Sequence, residues 1–315
     1  MTTLPSEIVG DAYRSDHAWD LLERLVDIGD RLPGHEGERG AAAVLAGALE
    51  DAGLGAVSTS EFEMDGWWRG RSRLEVDGPV RRTFEGQHDL VALPGTPAAE
   101  VVGDVVDLGR GTPADFAAHD IDGKVVVAHA SDDVPPGYDR RFHRTEKYEW
   151  AVEGGAAAFL YATPMEGTLP STGWVSSFGD GAGPIPAAGI SAELRSRLVR
   201  YAERGPTTAA LTIDCRNGRT TSRNVEAVVG PHTDEEVLVT AHMDAHDLGE
   251  GARDNGTGSA IAVEIGRLLG RMEDHLETRV RVVVFGAEEA GHVGARNWVE
   301  RNGVDEVKAV VNVDG

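Results

Sequence analysis

Three Val-rich runs in the C-terminal part of this chain, at 237–239, 280–285 and 309–313, each lead directly into residues that can bind metal or move a proton. Helical patterns at 258–272 and 293–301 separate them. Near-continuous Val runs alternating with amphipathic helices describe strands buried on both faces, as in parallel sheets. The expected fold class is therefore α/β, with a mostly parallel central sheet and helices on both faces. In such a sheet the carboxyl ends of the strands line one crevice, where ligands bind.

The rest of the chain has a different character. Leu21, Leu22, Leu25 and Ile28 form one helical stripe and Val44, Leu45, Ala48 and Leu49 another, separated by the turn 31–37. Residues 61–76 read as extended. Between about 89 and 211, Gly and Pro are frequent and short runs such as Val125-Val126-Val127 and Phe159-Leu160-Tyr161 replace long helices, with 193–203 the one secure helix. This reads as a β-rich module inserted into another domain. The expected division is 1–88, an inserted 89–213, and a metal-binding part at 214–315.

The chemistry collects at the strand ends. His242-Met243-Asp244 follows the first run, Asp254-Asn255-Gly256-Thr257-Gly258 opens the next helix, Glu288-Glu289 follows the second run, and Asp314 the third. Alone, each pattern is ordinary: an Asp before a helix caps it, and paired glutamates are normally solvated. Together, several carboxylates in one cleft would repel and raise one another's pKa unless a cation sat among them. Imidazole plus carboxylates, without thiolate, suits zinc first and manganese or cobalt next. The supply exceeds the three ligands one ion needs, so a carboxylate shared by two ions about 3.5–4 Å apart is the economical arrangement.

These motifs resemble those of zinc exopeptidases of the aminopeptidase Y and bacterial leucyl aminopeptidase type, a phosphorylase/hydrolase-like fold. The resemblance extends to Phe285-Gly286-Ala287, Asn312-Val313 and the stretch 31–37 with its following helix. The inserted stretch is similar to a protease-associated domain through Ile121-Asp122-Gly123-Lys124, Gly154-Gly155-Ala156 and Pro184-Ile185-Pro186-Ala187. The resemblance implies two Zn2+ ions per complete site. Asp254 would bridge them, His242 and Asp314 would complete one, and Glu289 would serve the other. It further implies Asp244 as the carboxylate that orients His242, and Glu288 as the general base acting on a zinc-activated water. A cis peptide between Asp254 and Asn255 belongs to the same pattern. The family's second ion takes a further His downstream of the position of Asp314, and this sequence ends at Gly315. A fragment, a second chain supplying the rest, or a degenerate protein would each account for that; the fragment reading is preferred. His246 and His292 read as rim residues.

The implied function is a metal-dependent exopeptidase acting on peptides, foremost an aminopeptidase. A carboxypeptidase or glutaminyl cyclase on the same fold is the alternative, and an inactive peptide- or protein-binding pseudoenzyme the reading from another class. Composition narrows the partners. Lys and Arg total 30 against 53 Asp and Glu, a net charge of −23, which argues against nucleic acid and anionic membranes. The start Met1-Thr2-Thr3-Leu4-Pro5 has neither a basic nor an apolar stretch, so the expected compartment is cytoplasmic. Cys215 is the single cysteine and permits no thiolate cluster. Lysine occurs only at Lys124, Lys147 and Lys308, and this scarcity with the acid excess suggests adaptation to high salt. In molar KCl the reach of self-repulsion falls to about 3 Å, so the unfolding midpoint is expected to rise with KCl; greatest stability in dilute buffer would refute the salt adaptation.

Overall fold

The computed structural model describes residues 4–131, 133–176 and 181–315. The chain divides into two compact units, Met1–Met64 with Arg219–Gly315, and Asp65–Gly218. In chain order the first unit begins with α1 (Ser6–Arg14), α2 (His17–Val26) and α3 (Glu36–Asp51), and the chain leaves it along β1 (Gly55–Trp68). The second unit contains β2 (Ser72–Asp77), β3 (Arg82–Phe84), β4 (Leu90–Ala92), β5 (Ala99–Asp107), α4 (Pro113–Ala118) and β6 (Val125–His129). It continues with α5 (Arg144–Glu153), β7 (Ala158–Ala162), β8 (Ala187–Ile190), α6 (Ala192–Arg204) and β9 (Thr208–Ile213). The chain returns along β10 (Arg216–Val229) to β11 (Glu236–His242), α7 (Thr257–Gly270), β12 (Arg279–Phe285), α8 (Val293–Asn302) and β13 (Val307–Asn312).

The first unit is built on a five-stranded sheet of order β1-β10-β12-β11-β13. β11 runs parallel to both β12 and β13, but β10 pairs antiparallel with β12. The mostly parallel sheet expected from the Val runs is therefore a mixed one, its parallel character confined to the metal-binding segment. Alternation along the strands sends Val239, Ala241, Val282 and Val284 to one face, where Leu21, Leu25, Leu45, Leu49 and Val263 of α2, α3 and α7 cover them. Leu238 and Val283 point to the other face and pack on Trp298 of α8. Helices thus lie on both faces of β11 and β12. β13 differs: it has one strand neighbour, and Val310 and Val311 are 55% and 49% exposed, so its apolar run is not buried as the pattern suggested.

The second unit has an eight-stranded sheet of order β3-β2-β9-β5-β6-β7-β8-β4. It takes in residues on either side of 89–213 because β2 pairs along its whole length with β9. Phe159, Leu160, Val125 and Val126 are fully buried in it. The sequence pattern missed two of its helices. α4 is too short for a period to show, and starts from a Thr112 capping box with Pro113 following. α5 spends its Lys147 and Tyr148 as buried residues, which breaks the usual apolar stripe. No described helix is long and apolar enough to cross a membrane.

Candidate metal centre

β11 and β12 are in register so that His242 lies beside Phe285, which places the residues after each strand next to one another. Asp244, fully buried, occupies the junction. Its Oδ1 accepts the Glu288 backbone N–H at 3.0 Å and its Oδ2 the Glu289 N–H at 3.0 Å. One side chain therefore holds the start of the Glu288-Glu289 turn to the end of β11. The His242 Nδ1 lies 3.1 Å from the Asp244 carbonyl oxygen and 3.4 Å from its Oδ1, so Asp244 orients the ring through main chain and side chain together.

Two residues of the N-terminal segment complete this scaffold. Arg31, with no exposed surface, donates to the carbonyls of Leu25, Met243, Glu250 and Gly251, joining α2 to the loop that carries Asp254. Gly251 has φ +58°, and a Cβ there would meet the Arg31 guanidinium at 2.6 Å, so glycine is needed for this approach. Glu38 of α3 accepts from the amides of Gly34 and Ala287 and from the Ser222 hydroxyl. Burial, and secondarily the neighbouring Asp244 charge, push its carboxyl up to about 8 against those three donors. Burial in turn lowers the Arg31 guanidinium, with Asp244 opposing.

Asp254 and Asp314 are brought to His242 by a second set of bonds. The Asp254–Asn255 peptide is cis. Buried Asn255 accepts the Gly258 N–H at 2.9 Å, which starts α7, and donates to the Val313 carbonyl at 2.9 Å. Thr240 Oγ1 donates to Asn312 Oδ1 at 2.7 Å, and the Val313 amide to the Thr240 carbonyl at 2.8 Å. A Cβ on Gly258 would stand 2.2 Å from Asn255 Oδ1 and 2.4 Å from the Val313 carbonyl, so the close approach of α7 to the end of β13 requires glycine there.

The result is a tight donor set. His242 Nε2 is 3.1 Å from Asp254 Oδ1 and 3.5 Å from Asp314 Oδ1, and ligand atoms of all three residues lie within 4.8 Å of one another. Glu288 Oε2 is 3.9 Å from the same nitrogen. Burial disfavours a charged imidazole, yet the bonds to Asp244 and Asp254 and the nearby Glu288 outweigh it and push His242 up to about 11. The His242 bond holds Asp254 below the usual carboxylate range. Burial first, and then Asp244 and Glu289, raise Glu288, against the pull of His242 and His292. A positive charge is thus what this cluster demands, and one imidazole with carboxylates is a donor set that fits zinc.

Of the six residues singled out in the sequence, His242, Asp254 and Asp314 form the donor set, with Glu288 at its edge and Asp244 beneath. Glu289 lies outside that set and pairs with His246, whose Nε2 lies 2.9 Å from Glu289 Oε2. His292 Nδ1 lies 2.7 Å from Glu288 Oε1. Both histidines therefore touch the paired glutamates, His292 with its side chain 63% exposed and His246 with 22%. Position in the motifs could have hinted at this, but the side-chain directions come only from the loops after β11 and β12. Arg31 and Glu38 gave no signal beyond their place in the 31–37 turn and the helix after it.

Because the folded pKa of His242 lies above its unfolded value of about 6.5, its stabilising contribution to the cation-free chain is complete below that pH and lost as pH rises through about 11. The stability gap between wild type and His242→Gln, measured by urea unfolding in chelator, should narrow steadily from pH 7 to pH 10. A gap independent of pH would contradict the geometry.

Residues 224–315 match Peptidase family M28. The chain is 26% identical over 308 residues to Carboxypeptidase Q of Xenopus laevis, covering 95% of this chain and 64% of that protein. It is 28% identical over 305 residues to Aminopeptidase YwaD of Bacillus subtilis (strain 168), covering 94% and 60%. Among solved structures, BSAP, a zinc aminopeptidase from Bacillus subtilis, matches with a TM-score of 0.71 at 24% identity over 95% of this chain and 68% of that one. The chain thus spans about three-fifths of the length of these curated relatives. Its fold is that of the BSAP peptidase structure, and the match to Peptidase family M28 lies in the segment that carries the donor set.

Proposed function

We propose that the protein is an exopeptidase that removes N-terminal residues from peptides. The observation that carries this reading is the convergence of His242, Asp254 and Asp314 within 4.8 Å, with the Glu288 carboxylate 3.9 Å from the His242 ring. In the two-cation form of the proposal, Asp254 would be shared and Glu289 would serve the second ion. Zinc bound there supplies Lewis-acid activation of water and of the scissile carbonyl. Glu288, its pKa raised by burial, takes the proton of the attacking water and returns it to the departing amine. Its backbone bond to Asp244 fixes where that carboxylate stands. The names of Aminopeptidase YwaD and of the zinc aminopeptidase BSAP among the matches favour release from the amino end.

The name of Carboxypeptidase Q among the relatives favours a second reading, release from the carboxyl end. We also read the unit Asp65–Gly218 as a protease-associated insert, on the motifs around Gly123, Gly155 and Pro186.

The test uses the zinc-loaded protein with an aminoacyl anilide, the same anilide acetylated at its amine, and a dipeptide blocked at its amine. Hydrolysis confined to the free-amine anilide supports an aminopeptidase, whereas cleavage of the blocked dipeptide supports the carboxypeptidase reading. Glu288→Gln should lower kcat by about 10²–10⁴ with zinc content unchanged. Activity within a few-fold of wild type would remove Glu288 from the reaction, and no turnover by zinc-loaded wild type on any of the three would favour a binding module.

A further inference from the structure

His246 lies in the loop between β11 and the turn Ala252–Gly256 and belongs to none of the metal-binding motifs. Its side chain is 22% exposed, and that of Glu289 is 14% exposed, so the 2.9 Å contact between them is largely shielded from water. Glu289 has its backbone already fixed, since its N–H is bound to Asp244. What remains free in principle is rotation of its carboxylate about the side-chain torsions, and His246 is the partner that the structure gives that carboxylate.

The other ring nitrogen sharpens the assignment. His246 Nδ1 is buried and has no hydrogen-bond partner among the described residues. A carboxylate is an acceptor only, so the proton of a neutral ring resides on Nε2, and Nδ1 carries an idle lone pair. The nitrogen that faces Glu289 is therefore a donor rather than a free ligand atom. A hydrogen bond to one carboxylate oxygen leaves the second oxygen to bind metal, and such outer bonds set both the orientation and the basicity of the ligand.

We propose that His246 is a positioning residue for the second divalent cation: by donating from Nε2 to Glu289 Oε2, it turns Oε1 toward the ion and makes Glu289 a one-oxygen ligand. The assignment rests on the two-cation reading above. It concerns which residue aims Glu289, not which residues ligate the ion alongside it.

The experiment titrates zinc into the chelator-stripped protein by calorimetry, with Co2+ absorption spectra recorded in parallel, for wild type, His246→Ala and His246→Gln. Glutamine offers an N–H at similar reach but is a poor metal ligand. In His246→Ala the second binding constant should fall by about 10–100-fold, while the first constant and the circular dichroism spectrum stay as in wild type. His246→Gln should return the second constant to within a few-fold of wild type and leave the Co2+ spectrum unchanged. A second constant unmoved in His246→Ala would overturn the assignment. So would a glutamine variant as weak as alanine with an altered Co2+ spectrum, because the ring would then be a ligand itself. Wild type binding a single ion would overturn the two-cation reading and this assignment with it, whereas the first two outcomes leave that reading standing.

Discussion

The arrangement of this site depends on one buried carboxylate. Asp244 takes the amides of Glu288 and Glu289 and lies against the His242 ring, so the ends of two adjacent parallel strands share a single anchor. Glu38 does the same for the preceding amide of Ala287, which stands at φ +51°. Three successive N–H groups are therefore consumed by two carboxylates without exposed surface. Removing Glu38 would strand the buried amide of Ala287, at a cost of about 1–3 kcal/mol, and removing Asp244 would free the part-buried amides of Glu288 and Glu289. The fully buried Arg31 guanidinium balances part of this negative charge while its donors tie down the loop that leads to Asp254.

That scaffold explains why the outer carboxylates can stand so close. With their backbones fixed by Asp244, Asn255 and Thr240, the side chains of Asp254, Asp314 and Glu288 cannot retreat far from His242. The repulsion among them is relieved in the cation-free chain by keeping a proton on the imidazole. A divalent cation answers the same demand with greater charge, and its binding must release that proton. Affinity for metal and the crowding of carboxylates are two sides of one electrostatic fact. The paired glutamates divide it: Glu288 leans toward His242 and His292, and Glu289 toward His246.

The convergence of His242, Asp254 and Asp314 was legible in the sequence because strand ends are. Val280 to Phe285 reads as a strand on local pattern alone, and whatever follows a central strand of an α/β sheet is delivered to the crevice. The two N-terminal helices were legible for a similar reason, since Leu21, Leu25, Leu45 and Leu49 mark the faces that meet the sheet. Long-range pairings were not. Nothing local says that β10 returns antiparallel beside β12, or that Val310 and Val311 stand at an edge, because those facts depend on which strand each run meets. Arg31, Glu38 and His246 escaped for the same reason. Their roles lie in contacts with residues far away in sequence, and their own neighbourhoods look like a turn, a helix surface and a polar loop.

The central claim is that the charge demanded by this cluster is met by a cation at His242, Asp254 and Asp314. Anomalous scattering at the zinc edge, from crystals of the zinc-loaded protein, tests it most directly. The account predicts the strongest peak at roughly 2.0–2.2 Å from His242 Nε2 and from a carboxylate oxygen of each aspartate. Zinc bound elsewhere, with the His242 ring still paired to the Asp254 carboxylate, would contradict it.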